Sequence, residues 1–258
     1  MIFTGCSLSP GKEKDKFIEG QDIIADSGMV VSAHPLSSGI GVSILRKGGN
    51  AVDAAVATEF ALAVCFPEAG NIGGGGFMLI RTSDGKTDVI DYREKAPGRA
   101  TRDMYLDKTG NVSEGLSTET HLACGVPGTV DGMINAHSKY GKLPFKEVIQ
   151  PAIDLAENGF PVTRGQAEEL NSNRKSFIAK NSFRPAFVKD PLWKEGDILI
   201  QNDLAETLKR IRDYGRDGFY SGKTARLVIR EMNRGNGIVS EQDLKDYRSV
   251  SRVPLFTD

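Results

Sequence analysis

The sequence predicts a mixed fold of the α/β (α+β) class, and three stretches carry that reading. An alanine-rich segment, Ala51–Cys65, has the propensity of a long helix. A glycine run at Gly73 to Gly76 is followed by a short apolar segment, a turn at Asp84-Gly85 and a return segment, the pattern of a β-hairpin. Several amphipathic segments then fill the second half of the chain, each ended by glycine or asparagine.

Taken in order, residues 29–33 (Met-Val-Val-Ser-Ala) read as a first strand. Ser37 or Ser38 can open a helix whose apolar face carries Ile40, Ile44 and Leu45, stopping at Gly48-Gly49. Asn50 caps the next helix, where alanine dominates and makes a thin rod suited to close packing, and Pro67 closes it. Asp53 inside this helix, near its positive end, reads as structural.

Four consecutive glycines let the backbone approach a neighbour with no Cβ in the way. The run Phe77–Arg81 suits a strand buried on both faces, and residues 87–92 form its return, with Val89 on the opposite face from Asp88 and Ile90. Arg93 then falls where pairing ends and a side chain can leave the sheet, a good place to hold a carboxylate. A phosphate-binding loop would need Lys and Ser/Thr after the glycines and a helix to follow, and the sequence has neither.

Beyond a polar connection at 101–122, Gly125 to Val130 leads into a helix ending near Tyr140-Gly141. Residues 144–158 repeat the pattern, with Pro151 set to kink or divide the helix and Asn158-Gly159 as the stop. Residues 172–197 are least regular, and Trp193 among charges suggests a surface excursion. Leu204, Leu208 and Ile211 mark one helical face; Ala225, Val228, Ile229 and Met232 mark another. Ser240 with Asp243 caps a last helix before Leu244 and Tyr247, and Arg252 to Phe256 reads as a strand without a partner.

A chain of 258 residues, 39% hydrophobic, can fill one large core, and a single domain is the expectation. With 33 basic and 34 acidic side chains spread along it, the net charge of -1 gives no electrostatic case for nucleic acid or an anionic membrane surface. A small neutral or zwitterionic substrate fits better. No stretch approaches the roughly 20 apolar residues of a transmembrane segment. The three cysteines, Cys6, Cys65 and Cys124, make neither a disulfide framework nor a zinc pattern, and His34, His121 and His137 are too dispersed for a metal site or a triad. Residues 3–7 (Phe-Thr-Gly-Cys-Ser) look like the end of a bacterial lipoprotein signal, without the basic and apolar regions that precede such a cysteine. On that reading 1–22 is an N-terminal tail, a lipoprotein tether with Lys12 to Lys16 solvated.

Four ordered motifs then point to a family: Gly48-Gly49-Asn50-Ala51-Val52-Asp53-Ala54-Ala55-Val56-Ala57, Gly73 to Phe77, Asp91-Tyr92-Arg93-Glu94-Lys95-Ala96-Pro97, and Val126-Pro127-Gly128-Thr129-Val130. Phe219-Tyr220-Ser221-Gly222 and Asp243-Leu244 with Tyr247, Arg252 and Pro254 add weaker support. From about residue 25 to 254 the chain resembles the N-terminal part of the large subunit of a bacterial γ-glutamyltranspeptidase.

The resemblance implies an N-terminal-nucleophile hydrolase, a four-layer αββα sandwich that is incomplete in this chain. Residues 23–258 would be a large-subunit portion, truncated at its C-terminus, of a precursor that cuts itself in two. In such enzymes the new N-terminal threonine of the small subunit attacks the γ-glutamyl carbonyl, its own α-amino group taking the proton. Backbone N–H groups hold the oxyanion. The glutamyl group then passes to water, an amino acid or a dipeptide.

The resemblance puts the arginine for the substrate α-carboxylate at Arg93 and implies γ-glutamyl substrates such as glutathione and the threonine-bearing small subunit as partner; no cofactor or metal is expected, and the lipoprotein-like segment at 3–7 points to an exported, periplasmic or lipid-anchored location. Without that context an arginine at a strand end reads as a structural ion pair, with Glu94 as a candidate partner. The chain has no Thr-Thr-His-x-Ser segment, so it holds no catalytic nucleophile; Thr120-His121 is not a substitute, being followed by Leu122 and Ala123. Two alternatives stand beside this: a non-catalytic fragment or separately encoded subunit, and a related cephalosporin or glutaryl acylase.

Overall fold

The computed structural model describes residues 24–181 and 183–256; the expected tail at 1–22, with Cys6, lies outside them. Its core is a stack of helices laid on one face of a small antiparallel sheet. Helix α1 (Pro35–Arg46) and helix α2 (Ala51–Cys65) pack together, and α2 also meets α3 (Thr129–Tyr140) and α4 (Phe145–Asn158). The alanines of α2 allow this crowding, and Val56, Phe60 and Val64 are fully buried along it. Its start is fixed as expected: Asn50 Oδ1 accepts from the N–H groups of Val52 and Asp53, while the Asp53 carboxylate accepts from Asn50 N–H.

Strands β1 (Phe77–Arg81) and β2 (Thr87–Asp91) form the expected hairpin, turning at Gly85 with φ +85°. It is buried on one face only. Ile80 and Ile90 point into the helices, whereas Phe77 and Leu79 are 59% and 71% exposed, because the helices cover one side of the sheet and no described residue covers the other. The expected strand at 29–33 does not form; Val31 is 82% exposed and the segment has no ladder partner among the described residues. The cap of α1 is His34 rather than a serine, its Nδ1 accepting from Leu36 N–H at 3.2 Å, so the helix opens at Pro35.

Helix α4 runs unbroken through Pro151 and stops at Gly159, φ +78°. A two-stranded ribbon follows, β3 (Phe160–Pro161) paired with β4 (Ile198–Leu199). The stretch between them contains α5 (Arg164–Ser172) and α6 (Arg174–Lys180). Trp193 is not a surface excursion: it is 7% exposed, and its indole N–H donates to Phe187 O at 2.8 Å, which satisfies the one polar atom of a ring worth burying.

Helices α7 (Asn202–Tyr214), α8 (Asp217–Tyr220), α9 (Gly222–Arg234) and α10 (Glu241–Asp246) complete the helical layer, with Leu208, Ile211 and Leu244 fully buried. Ser240 and Asp243 form the capping box the sequence suggested. The last strand corrects a second expectation. Strand β5 (Val250–Arg252) begins before Arg252 and has a partner, pairing antiparallel with β2 to give the order β1-β2-β5.

Candidate functional site

Arg93 follows the last pair of the hairpin, where the chain leaves the sheet, and its neighbours fix its peptide from three sides. The Arg93 N–H donates to Asp91 Oδ1 at 3.0 Å, and the Arg93 carbonyl accepts from the Tyr247 hydroxyl at 2.8 Å. Gly75 lies against the same backbone: a Cβ there would stand 2.7 Å from Glu94 N and 2.9 Å from the Arg93 carbonyl carbon. The glycine run thus performs the close approach expected of it, against the Arg93 peptide.

The residue before it is equally constrained. Tyr92 is buried, its ring occupying a slot floored by Gly76 and Gly132, while Gly128 lies against its carbonyl oxygen; a Cβ at any of the three would press on Tyr92 atoms. Gly74 O accepts from the N–H groups of Gly128 and Thr129 at 2.7 and 3.0 Å, which ties the glycine run to the start of α3. Residues from three of the four sequence motifs therefore meet around one tripeptide.

The guanidinium itself is exposed and makes no ion pair or hydrogen bond among the described residues. Glu94 does not pair with it. Asp91, two residues before Arg93, is engaged elsewhere: it holds the Arg252 guanidinium at 2.8 and 3.0 Å, joining β2 to β5. The backbone N–H of Arg93 and the Arg252 guanidinium hold the Asp91 carboxyl below the usual carboxylate range, against the opposing effect of its desolvation. A free planar fork on a rigid peptide can take both oxygens of an incoming carboxylate.

Behind Tyr247, a buried ion pair holds its backbone. Arg216 donates to Asp131 Oδ1 at 2.8 Å and to the carbonyls of Leu244 and Tyr247, while Asp131 Oδ2 accepts from Ser249 N–H and Oγ–H, both at 2.7 Å. Asp131 is 6% exposed, so this pair is sheltered, and both carboxylate oxygens are hydrogen-bonded. Sequence reasoning noticed Tyr220 and Tyr247 as weak motif residues but missed Asp131 and Arg216, whose partners lie 85 residues apart in the chain.

The other singled-out residues stay apart. His34 caps α1, His121 Nε2 meets Glu231 Oε1 at 3.0 Å, and His137 Nε2 lies 2.9 Å from Leu143 O. Thr120 accepts from Leu122 N–H and donates to Leu116 O, the work of a cap on a single 3-10 turn. Cys65 is a fully buried core residue whose thiol burial pushes up to about 11. An open groove of about 1130 Å³ runs along α1 and α2, lined by Val31, Arg46, Ala55 and Glu59 among others, and Arg93 is not part of it.

Comparison with known proteins bears on the family and the fold. The family model described as gamma-glutamyltranspeptidase matches residues 37–258. Among curated relatives, a glutathione hydrolase proenzyme of Escherichia coli (strain K12) is 45% identical over 257 residues, 97% of this chain and 43% of that protein. One of Pseudomonas sp. (strain A14) is 46% identical over 236 residues, 91% of this chain and 41% of its own. The chain thus spans less than half the length of these relatives. The crystal structure of Helicobacter pylori gamma-glutamyltranspeptidase superposes with a TM-score of 0.88 at 46% identity, covering 91% of this chain and 68% of that one. The fold is accordingly an α/β portion of an N-terminal-nucleophile hydrolase, and the chain belongs to the γ-glutamyltranspeptidase family.

Proposed function

We propose that this chain is part of a γ-glutamyltransferase and glutathione hydrolase, in which Arg93 holds the α-carboxylate of the glutamyl donor. The observation that carries the reading is an exposed guanidinium with no partner among the described residues, on a residue whose N–H and carbonyl are both hydrogen-bonded and whose following peptide bond packs against Gly75. A cation so placed is preorganised for a ligand, since binding a carboxylate breaks no internal pair. The nucleophile would come from a threonine that opens the small subunit, formed when a precursor cleaves itself. That threonine would attack the γ-carbonyl, form a glutamyl ester, and release it to water, an amino acid or a dipeptide. The chain would serve by binding and orienting the donor, and by itself would turn over no substrate. We further propose that the protein is exported.

A related acylase is the second reading, and substrate choice separates the two. Glutaryl and γ-glutamyl groups share the carboxylate and differ in the α-amino group, so the complete protein should hydrolyse a γ-glutamyl anilide in preference to a glutaryl anilide. The reverse preference would make it an acylase. Arg93→Lys keeps the charge and loses the two-pronged contact, so it should raise KM for the γ-glutamyl anilide about tenfold while leaving the unfolding midpoint in place. An unchanged KM would remove Arg93 from the site.

A further inference from the structure

Of the contacts on the Arg93 peptide, one comes from a distant part of the chain. The Tyr247 hydroxyl reaches the Arg93 carbonyl across 154 residues of sequence. Tyr247 itself is 2% exposed and its ring lies parallel to that of Tyr220, at 5.8 Å between centroids and 4° between planes. Lys95 Nζ sits over the other part of its environment, 5.0 Å from the ring centroid, and Gly128 leaves room for the hydroxyl, since a Cβ there would collide with it. The Tyr247 carbonyl accepts from Arg216 and Arg248, both at 2.6 Å, so the residue is held at backbone, ring and hydroxyl together.

We propose that Tyr247 is a positioning residue for Arg93, its hydroxyl fixing the peptide from which the guanidinium extends so that the fork meets the donor carboxylate without reorganisation. This rests on the reading of Arg93 as the carboxylate anchor. The donor role needs a protonated phenol, and burial together with the nearby carboxylates of Asp131, Asp91 and Glu94 pushes the Tyr247 pKa well above its ordinary 10. Losing the hydroxyl would leave the Arg93 carbonyl free to turn, and binding would then have to order it.

The test uses the complete protein and a γ-glutamyl anilide. Tyr247→Phe keeps the ring on Tyr220 and should raise KM about three- to tenfold with kcat nearly unchanged. Tyr105→Phe removes a hydroxyl that donates to Leu122 O at 3.1 Å and is not among the contacts of Arg93 or Tyr247; it should leave KM alone. In the Arg93→Lys background Tyr247→Phe should add no further rise in KM. If Arg93→Lys raises KM and Tyr247→Phe does not, or if Tyr105→Phe raises KM as much, the positioning role is overturned while the Arg93 reading stands. If Arg93→Lys itself leaves KM unchanged, the Arg93 reading falls and this inference with it.

Discussion

Asp53 has no exposed surface, yet its carboxylate accepts from four backbone N–H contacts of three residues: Asn50, Lys142 twice, and Leu143. His137 Nε2 stands 3.5 Å away. One side chain thereby caps α2 and holds the turn between α3 and α4. Asp53→Ala would leave those buried donors unpaired and should cost about 3 kcal/mol or more, read as a drop in the urea midpoint; a shift under about 1 kcal/mol would contradict the role. Gly128 makes the matching steric case, because a Cβ there would strike the Tyr92 carbonyl oxygen and the Tyr247 hydroxyl. Gly128→Ala should destabilise by about 1–3 kcal/mol, and an unchanged midpoint would show that the slot around Tyr92 has slack.

The elements repeat this economy of caps. Burial holds the His34 imidazole below its ordinary 6.5, with Gln166 opposing in part, and its Nδ1 accepts the Leu36 N–H only while unprotonated. Because the folded pKa lies below the unfolded one, the cap's contribution is full above about pH 6.5 and is lost as pH falls toward the folded value. The wild type should therefore lose stability faster than His34→Asn, a cap that does not titrate, between about pH 7.5 and 5.5. Parallel slopes in urea midpoint would contradict this. Such local features were legible in the sequence: Asn50 with Asp53, Ser240 with Asp243, and the Gly85 turn all depend on residues within a few positions. What depends on distant partners was not. Residues 29–33 have strand composition but find no ladder, β5 was given no partner although β2 was waiting, and Trp193 is buried by segments the pattern did not join to it.

At the scale of the whole molecule, one face of the β1-β2-β5 sheet is covered by helices, and the other presents Phe77 and Leu79 to solvent. For residues 1–258 alone, replacing both with threonine should leave the unfolding midpoint nearly unchanged and reduce self-association in sedimentation; a large loss of stability would mean that this face is not free. The same chain should show no hydrolysis of a γ-glutamyl anilide. The candidate site divides along similar lines. Arg93 was found from its place at a strand end together with a family motif, whereas the Tyr247, Arg216 and Asp131 scaffold behind it came only with the fold, since its contacts join 85 to 154 residues of intervening chain.

The central claim is that the Arg93 guanidinium is the seat of the donor carboxylate. Competitive inhibition of the complete protein by free L-glutamate reads that contact without any chemistry. Arg93→Lys should weaken this inhibition by the same factor that it raises KM for a γ-glutamyl anilide, about tenfold. An inhibition constant equal to that of the wild type would contradict the account.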